Sequence, residues 1–368
     1  MKAATNIEVR QNNRRRLLKL LFTDGEMVKQ DIAGRLDMSL STVNYLVKEL
    51  MEKQLLTTGT LLDSTGGRKP VCIKPVYDAR FSIGAEAASD VIRITALDLG
   101  ANMIACESYP LPQENNAAYW DKVGTLIRDF GDTHHIPKER LLDVGVTIGV
   151  TMQDERLAAR KKQSQEFVFD ARLARERIGM PVHFRHSTKM AAVAQCRHSG
   201  PSKNFVYIYL GAKISGAIIF NGKVIDFSGI NGEFGCMLAL NTPDTVRVDS
   251  IFSRKALCLH GGCQDLKEFS EKIKANDSKC VSIWNDYLNE LAKLIHNIYC
   301  IFGWDIVLGG SVSPYIVREL PRLEEKVRGY YPFEEFPEQM LCVSPMGEYG
   351  SAAGAALLSI NRFLDSEI

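Results

Sequence analysis

The sequence predicts an α/β protein in which a small helical unit precedes a larger body of alternating strands and helices. Up to Lys53, apolar side chains recur at helical spacing and short polar turns separate the helical stretches. After Tyr77, strand-like runs such as FSIGAEA, VIRITALDL and FVYIYLG alternate with helical stretches, which is typical of α/β domains. The length of 368 residues also exceeds one ordinary domain of roughly 100 to 200 residues.

The composition is that of a soluble globular protein. Hydrophobic residues make up 45% and charged residues 24%, which excludes disordered, collagen-like and coiled-coil chains. No run approaches the roughly 20 apolar residues of a membrane span, and the first residues lack the pattern of a signal peptide. Nine scattered cysteines without a C-x-x-C pair fit a reducing compartment. We therefore expect a cytoplasmic protein that does not bind a membrane.

The charge is distributed unevenly along the chain. Residues 1–80 hold 14 Lys and Arg against 9 Asp and Glu, a net charge of +5. The other 288 residues hold 31 against 35, a net charge of −4. A basic end on a mildly acidic body indicates an anionic partner for that end alone.

Three helices are predicted in the basic end, over Asn12–Phe22, Val28–Leu36 and Leu40–Lys53. The third has an apolar stripe of Val43, Leu46, Val47 and Leu50. Its opposite face consists of polar and aromatic side chains: Ser41, Thr42, Asn44, Tyr45 and Lys48. Two short helices joined by a tight turn, the second with a polar face, are typical of a helix-turn-helix that places a recognition helix in the major groove. The alternative is a three-helix packing unit with a solvated face.

A basic hairpin follows the predicted helices. The β-prone stretches Leu55–Leu62 and Pro70–Lys74 flank a tip that contains Gly66-Gly67-Arg68-Lys69. Glycine allows a close approach to the duplex, and Arg68 and Lys69 supply the charge that a DNA-binding wing needs. The alternative is an ordinary basic hairpin, but hairpin and helix-turn-helix in this order favour DNA binding.

These residues carry a family resemblance. The stretch from Gly25 to Leu50, followed by STGGRKP from Ser64, closely resembles the N-terminal winged helix of ROK-family (repressor, open reading frame, kinase) transcriptional repressors. The resemblance extends over nearly the whole chain and implies a winged helix-turn-helix in residues 1–80 and a two-lobed, actin-like sugar kinase fold behind it. The first lobe would span residues 81–185 and be completed by residues 351–368, and the second lobe, with the dimer contacts, would span residues 186–350.

The kinase motifs of the family are altered in this chain. At the first phosphate turn, the pattern D-x-G-x-T is replaced by Glu86, Ala88 and Asp90, so a carboxylate stands where a hydroxyl would bind phosphate. The second turn, G-T-G-I-G-A-G in the family, reads GAKISGA from Gly211. The catalytic stretch N-D-A-N reads HSTK from His186, which puts Ser187 at the position of the general base. His186 is adjacent, but neighbours near a helix start rarely face each other, so a Ser-His nucleophile is not favoured.

The zinc element of the family is incomplete as well. The family pattern G-E-x-G-H reads Gly232-Glu233-Phe234-Gly235-Cys236, and the loop after it has no cysteine. A later C-x-H-x-x-C cluster, Cys258, His260 and Cys263, lies outside the position of the family site. We expect no catalytic residue, no metal ion and no cofactor.

Part of the family's sugar-binding site remains. Glu233 stands at a glutamate position of the family, and Asp249 stands where a second glutamate normally follows. His186, Ser187 and Cys236 replace other residues of that site. The resemblance therefore implies a repressor that binds double-stranded operator DNA as a homodimer or a dimer of dimers and responds to a sugar-derived effector. The alternatives are a carbohydrate kinase with an accessory DNA-binding domain and a regulator whose body is a ligand-independent scaffold.

Overall fold

The computed structural model describes residues 6–61, 70–114, 116–149, 169–198, 204–225, 232–239, 246–332, 337 and 340–366. Its N-terminal unit contains α1 (Asn6–Asp24), β1 (Met27–Val28), α2 (Lys29–Leu36), α3 (Leu40–Glu52), β2 (Leu56–Leu61) and β3 (Val71–Pro75). The strands form an antiparallel sheet in the order β1-β3-β2. This is the winged helix-turn-helix that the sequence predicts.

The first helix is longer than its apolar pattern suggests. Hydrophobic spacing predicts a start at Asn12, whereas α1 begins at Asn6. Residues 7–11 of this extension are exposed and include Arg10, whose Nη2 lies 2.7 Å from Oε2 of Glu49 on α3. Arg14 pairs with the same carboxylate. Ion pairs to a neighbouring helix leave no hydrophobic periodicity in the sequence, so the pattern misses this part of the helix.

The first lobe follows the winged helix. Its elements are β4 (Phe81–Ala87), β5 (Val91–Asp98), β6 (Met103–Pro110), α4 (Ala117–Thr133), β7 (Val144–Ile148), α5 (Ala171–Ile178) and β8 (Val182–His186). The sheet order is β6-β5-β4-β7-β8, in which β6, β5 and β4 are antiparallel and β7 and β8 are parallel. Trp120, Phe130 and Phe184 are fully buried between this sheet and α4 and α5.

The second lobe repeats that topology. Its elements are α6 (Ser187–His198), β9 (Phe205–Leu210), β10 (Ile214–Phe220), β11 (Lys223–Val224), α7 (Val248–Phe252), α8 (Arg254–Gly261), α9 (Leu266–Lys274), α10 (Ser278–Phe302), β12 (Asp305–Gly309), α11 (Ser313–Ile316), α12 (Leu320–Tyr330) and β13 (Leu341–Val343). The sheet order β11-β10-β9-β12-β13 has the same antiparallel and parallel arrangement as the first sheet. The repeat is one of backbone topology and is not visible as a tandem repeat in the sequence.

The last helix, α13 (Gly350–Ser366), packs with α6 between the two lobes. A Cβ on Gly84 of β4 would lie 1.8 Å from the carbonyl oxygen of Ala352, and a Cβ on Gly354 would lie 1.7 Å from that of Met190. Glycine at these points lets α13 approach both the first sheet and α6 at backbone distance. On its other side, α6 packs Ala191 and Ala192 against the second sheet.

The winged helix and the body share one hydrophobic cluster. Leu17 and Leu21 of α1 belong to the same buried cluster as Ile360 and Leu364 of α13. Arg197 at the end of α6 donates from Nη2 to the carbonyl oxygens of Phe22, at 3.2 Å, and Gly100, at 2.9 Å. The position of α1 is therefore determined by contacts with the body as well as by its own unit. No helix in the described part of the chain is long and apolar enough to span a membrane.

Candidate nucleic-acid interface and ligand cup

The turn before α3 positions the recognition helix. Asp37 ends α2 in the left-handed conformation, with φ +52°, so the chain reverses within a few residues. Ser39 then caps α3, because its hydroxyl accepts the backbone N–H of Thr42 at 3.1 Å. The apolar stripe of α3 is buried as predicted, which leaves the opposite side of the helix exposed.

We call that opposite side the recognition face: Ser41, Thr42, Asn44, Tyr45 and Lys48. Thr42 is half-buried and the other members are exposed. The hydroxyls of Ser41 and Thr42 both lie 2.8 Å from the hydroxyl of Ser39. The guanidinium of Arg10 lies over the ring of Tyr45, 4.5 Å from the ring centroid. Asn44 and Lys48 project amide and ammonium groups with the chemistry needed for base edges and phosphates.

The two strands of the wing are tied to the helix-turn-helix. The carboxylate of Glu26 accepts the backbone N–H of Thr60 at 3.0 Å and the hydroxyl of the same residue at 2.6 Å. These bonds connect β2 to the residue that precedes β1, although β3 lies between the two strands in the sheet, and so help to orient the hairpin relative to the helices. The two cations predicted at the wing tip, Arg68 and Lys69, lie outside the described residues.

The second candidate site is a cup beside the start of β10, and Glu233 is its first member. Gly232 has φ +83°, and its carbonyl oxygen accepts the N–H of Gly216 at 2.5 Å. A Cβ on Gly232 would lie 2.1 Å from the carbonyl oxygen of Gly216, so glycine is required at this position. Glu233 comes next and precedes a 3-10 turn, Phe234–Cys236. Burial raises the pKa of Glu233, which makes its ionised form costly unless a partner binds it.

Asp249 on α7 lies against the same loop. Its Oδ1 accepts the backbone N–H of Ile214 at 2.5 Å, and a Cβ on Gly235 would lie 2.1 Å from the same oxygen. Burial raises the pKa of Asp249, and the hydrogen bond from Ile214 partly offsets that rise. The structure thus places Glu233 and Asp249 together, with Asp249 partly engaged by the backbone.

His186 and Ser187 form the junction between β8 and α6. Ser187 is 5% exposed, and its carbonyl oxygen accepts the hydroxyl of Ser351 at 3.1 Å. Next to it, the hydroxyls of Thr188 and Ser215 lie 2.5 Å apart, which holds the start of α6 against the start of β10. This bond places the His186–Ser187 junction near the start of β10.

Two lysines that the sequence reasoning missed belong to the cup. Lys189 and Lys213 both lower the pKa of Glu233 and so oppose the effect of burial. Lys189 lies in the first turn of α6, and Lys213 lies in the turn between β9 and β10. A signal for them was present, because both stand at positions of the quoted family motifs that normally hold Asn and Gly. We use the word cup for Glu233, Asp249, His186, Ser187, Lys189 and Lys213.

The likeness to known proteins covers both units. Residues 82–362 match the family model described as the ROK family. The chain belongs to the ROK family. Residues 10–57 match a model described as winged helix-turn-helix DNA-binding. The predicted fold class, a winged helix-turn-helix followed by an actin-like ROK body, is therefore confirmed.

Individual relatives include regulators and a kinase. The chain is 22% identical over 395 residues to a xylose repressor of Bacillus spizizenii, covering 99% of both proteins. Among solved structures, a ROK family transcriptional regulator homologous to the Escherichia coli MLC protein superposes with a TM-score of 0.71 and 16% identity, covering 97% of this chain and 98% of the other. A ROK family glucokinase from Streptomyces griseus, in complex with glucose and AMPPNP, superposes with a TM-score of 0.63 and 16% identity, covering 76% and 98%.

At the position of the first phosphate turn of the ROK pattern, this chain has an ion pair. Asp90, in the turn after β4, accepts hydrogen bonds from both terminal nitrogens of Arg254 at 2.6 Å each. Burial opposes ionisation of Asp90, but Arg254 outweighs it and keeps the pKa of that carboxyl below its usual value. Arg254 begins α8 of the second lobe, so this pair connects the two lobes.

A buried charge group lies beside that pair. Oε2 of Glu86 lies 3.2 Å from Nη1 of Arg93, and Tyr209 of the second lobe donates to the other oxygen of Glu86 at 2.7 Å. Nε of Arg93 also donates to Glu348 at 2.9 Å. Burial disfavours the charge on Arg93, yet the two carboxylates raise its pKa overall. We call these residues, with Asp90 and Arg254, the interlobe cluster.

Three of the residues considered as a metal site, Cys258, His260 and Cys263, lie on α8 or just after it. Cys258 is buried in α8, His260 is exposed, and Cys263 donates weakly to the carbonyl oxygen of Gly261 at 3.5 Å. Cys236 lies at the cup and is exposed. Within the residues that the structure describes, no group of three or more His, Cys, Asp or Glu side chains is placed to hold a metal ion.

Proposed function

We propose that this ROK protein is a sequence-specific DNA-binding transcriptional regulator that represses its target genes. The observation that carries the proposal is the recognition face of α3, exposed on a winged helix-turn-helix that precedes a ROK body. Ser41, Thr42, Asn44, Tyr45 and Lys48 supply base and phosphate contacts, and Arg68 and Lys69 supply wing contacts to operator DNA. The relative from Bacillus spizizenii carries the name of a repressor.

The proposed signal is a sugar-derived effector bound in the cup. In this proposal, Glu233 and Asp249 accept hydrogen bonds from ligand hydroxyls, and His186 and Ser187 also contact the ligand. In support, the related repressor is named after a sugar, and the glucokinase with the same fold contains glucose. A ligand changes repression only if it binds the DNA-bound and DNA-free conformations with different affinity.

We propose further that the body performs no kinase chemistry and needs no cofactor. Ser187 occupies the position of the general base, and a serine hydroxyl removes no proton from a sugar at neutral pH without a base of its own. Asp90 is held by Arg254 at the first phosphate turn, so protein carboxylates stand where the family pattern binds phosphate. Incubation with ATP and a panel of sugars should give no sugar phosphate above the level of a Glu233→Ala control.

The oligomer is part of the proposal. A homodimer, or a dimer of dimers, presents two recognition helices and two wings to a pseudo-palindromic operator. Half-sites one helical turn apart, or a multiple of it, are the expected spacing.

Genome-wide capture of bound DNA tests the main proposal. We expect enrichment of a pseudo-palindromic sequence near a small set of promoters, and loss of that enrichment in a protein with Arg68→Ala and Lys69→Ala. A matched protein with Lys122→Ala, an exposed lysine on α4, should keep the wild-type pattern. Uniform recovery of DNA without a common sequence would contradict the proposal.

A further inference from the structure

Two thiols in the second lobe share one hydrogen-bond acceptor. The Sγ of Cys263 donates to the carbonyl oxygen of Gly261 at 3.5 Å, and the Sγ of Cys280 donates to the same oxygen at 3.8 Å. Cys263 follows α8 and Cys280 lies in the first turn of α10, so this carbonyl brings together two separate elements. A hydrogen bond also links the two thiols directly. Contact between two thiols is the first requirement for a disulfide, whose S–S bond is about 2 Å long.

The backbone on both sides of this contact is held by close packing. A Cβ on Gly261 would lie 2.7 Å from the ring of Phe269 and 3.3 Å from the Sγ of Cys263, so glycine is needed at this turn. On α10, the carboxylate of Asp277 accepts the backbone N–H of Cys280 at 2.8 Å and caps the helix. The two thiols are therefore brought together by the fold of their elements.

A cation lies beside the first thiol. Nζ of Lys272 on α9 donates at 3.0 Å to the carbonyl oxygen of Gly262, the residue before Cys263. Glu268 and, to a smaller extent, Cys263 raise the pKa of Lys272, so ammonium and thiolate attract each other. Oε1 of Glu268 lies 3.0 Å from the same Nζ and takes up part of its charge. An ammonium next to a thiol favours the thiolate, which is the nucleophilic form of cysteine.

The second thiol has the opposite character. Cys263 is half-buried, whereas Cys280 is 0% exposed. Burial, followed by the hydrogen bond with Asp277 and the proximity of Cys263, raises the pKa of Cys280. Cys280 therefore stays a protonated thiol at neutral pH, inaccessible to solutes but in contact with Cys263. An accessible thiol beside a cation, with a buried thiol against it, is the arrangement of a reactive cysteine and its resolving partner.

We propose that Cys263 and Cys280 form a peroxide-reactive dithiol that oxidises to a disulfide within one chain. The thiolate of Cys263 attacks an oxygen of hydrogen peroxide, so that an S–O bond forms, the O–O bond breaks and hydroxide leaves. The sulfur of Cys280 then attacks the sulfenic acid on Cys263. The S–S bond forms, the S–O bond breaks, and the oxygen leaves as water with the thiol proton of Cys280. The two sulfur atoms together lose the two electrons that reduce the peroxide.

The test is mass spectrometry of the full chain, reduced, treated with hydrogen peroxide, blocked at the remaining thiols and cleaved after lysine and arginine. Cleavage releases Cys280 in residues 280–293 and Cys263 in residues 256–267, which also contain Cys258. We expect these two peptides to be joined by a disulfide that a reducing thiol breaks. A Cys258→Ser protein should give the same joined pair, which assigns the bond to Cys263.

Cysteine variants separate the two chemical steps. Cys280→Ala should stop at a sulfenic acid on Cys263, which dimedone traps, whereas Cys263→Ser should give neither the dimedone adduct nor the disulfide. Cys300→Ser, at an exposed thiol on α10, should leave the joined pair unchanged. The disulfide in the wild-type chain is observed without any variant, so it does not depend on whether a substituted protein folds.

The role of Lys272 is measured by rate. Lys272→Gln should slow oxidation of Cys263 by roughly threefold to tenfold at neutral pH and move the pH profile of the rate upward, because the thiolate loses its neighbouring cation. Lys274→Gln, at an exposed lysine at the end of the same helix, should change neither the rate nor the profile. An unchanged pH profile in Lys272→Gln would overturn activation by the lysine.

Three outcomes would overturn the dithiol itself. In the first, peroxide oxidises the exposed Cys300 and leaves Cys263 and Cys280 unjoined. In the second, the bond to Cys280 comes from Cys258 and is absent in Cys258→Ser. In the third, the main product is a disulfide between two chains. All three are independent of DNA capture, so the dithiol and the proposed repressor function stand or fall separately.

Discussion

Glu233 is a half-buried carboxyl group whose ionised form is unfavourable in the folded protein. Its side chain does not cap the 3-10 turn that follows, and burial raises its pKa above the ordinary value of 4.5. A group with a raised pKa in the folded state contributes stability below its unfolded pKa and loses that contribution as the pH rises through the folded value. At neutral pH the carboxyl group of Glu233 is ionised, and its burial then lowers the stability of the folded protein.

Glu233→Gln should accordingly melt at the same or a higher temperature than the wild type at pH 7 to 8. The advantage in melting temperature should shrink as the pH falls below the ordinary glutamate range. The carboxyl group of Glu233 is then neutral in both the folded and the unfolded protein. Melting curves over pH 4 to 8 measure this, with Glu325→Gln at an exposed position as the control. A variant that is less stable at every pH would show that Glu233 serves to hold its loop.

Residues of the recognition face are expected to act in two different ways. Some discriminate between base pairs, and others bind phosphate whatever the sequence. Asn44→Ala should relax preference at particular base pairs by about 1–3 kcal/mol, because an amide that contacts a base edge discriminates between bases. Lys48→Ala should instead weaken binding to all sequences alike and reduce the salt slope by about one, as expected for one lost phosphate contact. Binding titrations against single-base operator variants at several salt concentrations distinguish the two. A uniform loss for Asn44→Ala would make it a positioning residue.

At the level of elements, α13 is the connection between the units. It begins beside Ser187 and Thr147, where the hydroxyl of Ser351 lies 2.7 Å from that of Thr147, and it ends against α1. Lys19 of α1 lies 2.8 Å from Asp365 near its other end. One helix thus touches both the start of α6, beside the proposed cup, and helix α1 of the DNA-binding unit.

Ile360 tests that connection. It is 1% exposed in the cluster that contains both α1 and α13, so Ile360→Ala should lower the free energy of unfolding by about 2–4 kcal/mol. Because the cluster spans both units, calorimetry should show winged helix and body unfolding in one transition, before and after the substitution. Ile301→Ala, at a position 67% exposed on α10, should change the free energy by less than about 0.5 kcal/mol. A separate early transition of the winged helix would contradict the shared core.

On the scale of the whole molecule, protein side chains join the two lobes at the interlobe cluster. Asp90 with Arg254 and Glu86 with Tyr209 each connect the first lobe to the second. The pattern of the ROK family places a phosphate-binding turn at the position of Asp90.

A double-mutant cycle measures that contact. Asp90→Asn and Arg254→Gln should together cost less than the sum of the single changes, with an interaction energy of about 1 kcal/mol. The estimate is modest because the side chain of Asp90 is 49% exposed, although that of Arg254 is only 13% exposed. Raising the salt concentration should reduce the interaction. Strict additivity would show that the pair contributes nothing to the union of the lobes.

Several features follow from the sequence alone. The apolar stripe of α3, the short turn before it and the strand patterns of the body are set by local periodicity, so the winged helix and the α/β class are both readable from the residues. The departures at Ser187, Asp90 and Cys236 are also visible in the sequence. Comparison with the family motifs alone shows that the general base, a phosphate-binding hydroxyl and a zinc-binding histidine are replaced at these positions. The wing tip of Arg68 and Lys69 and the roles of the cup residues stay predictions.

Other features depend on contacts between distant parts of the chain, and no local pattern encodes them. Arg254 lies 164 residues from Asp90, and Tyr209 lies 123 residues from Glu86, so only the folded chain pairs them. The repeat of one sheet topology in both lobes is a property of backbone pairing, which unrelated side chains can support. Lys189 and Lys213 were readable as departures from a motif, but only the bond between Thr188 and Ser215 brings their two elements to one site. Charge and hydrogen bonding act through space, and the tertiary structure decides which charges meet.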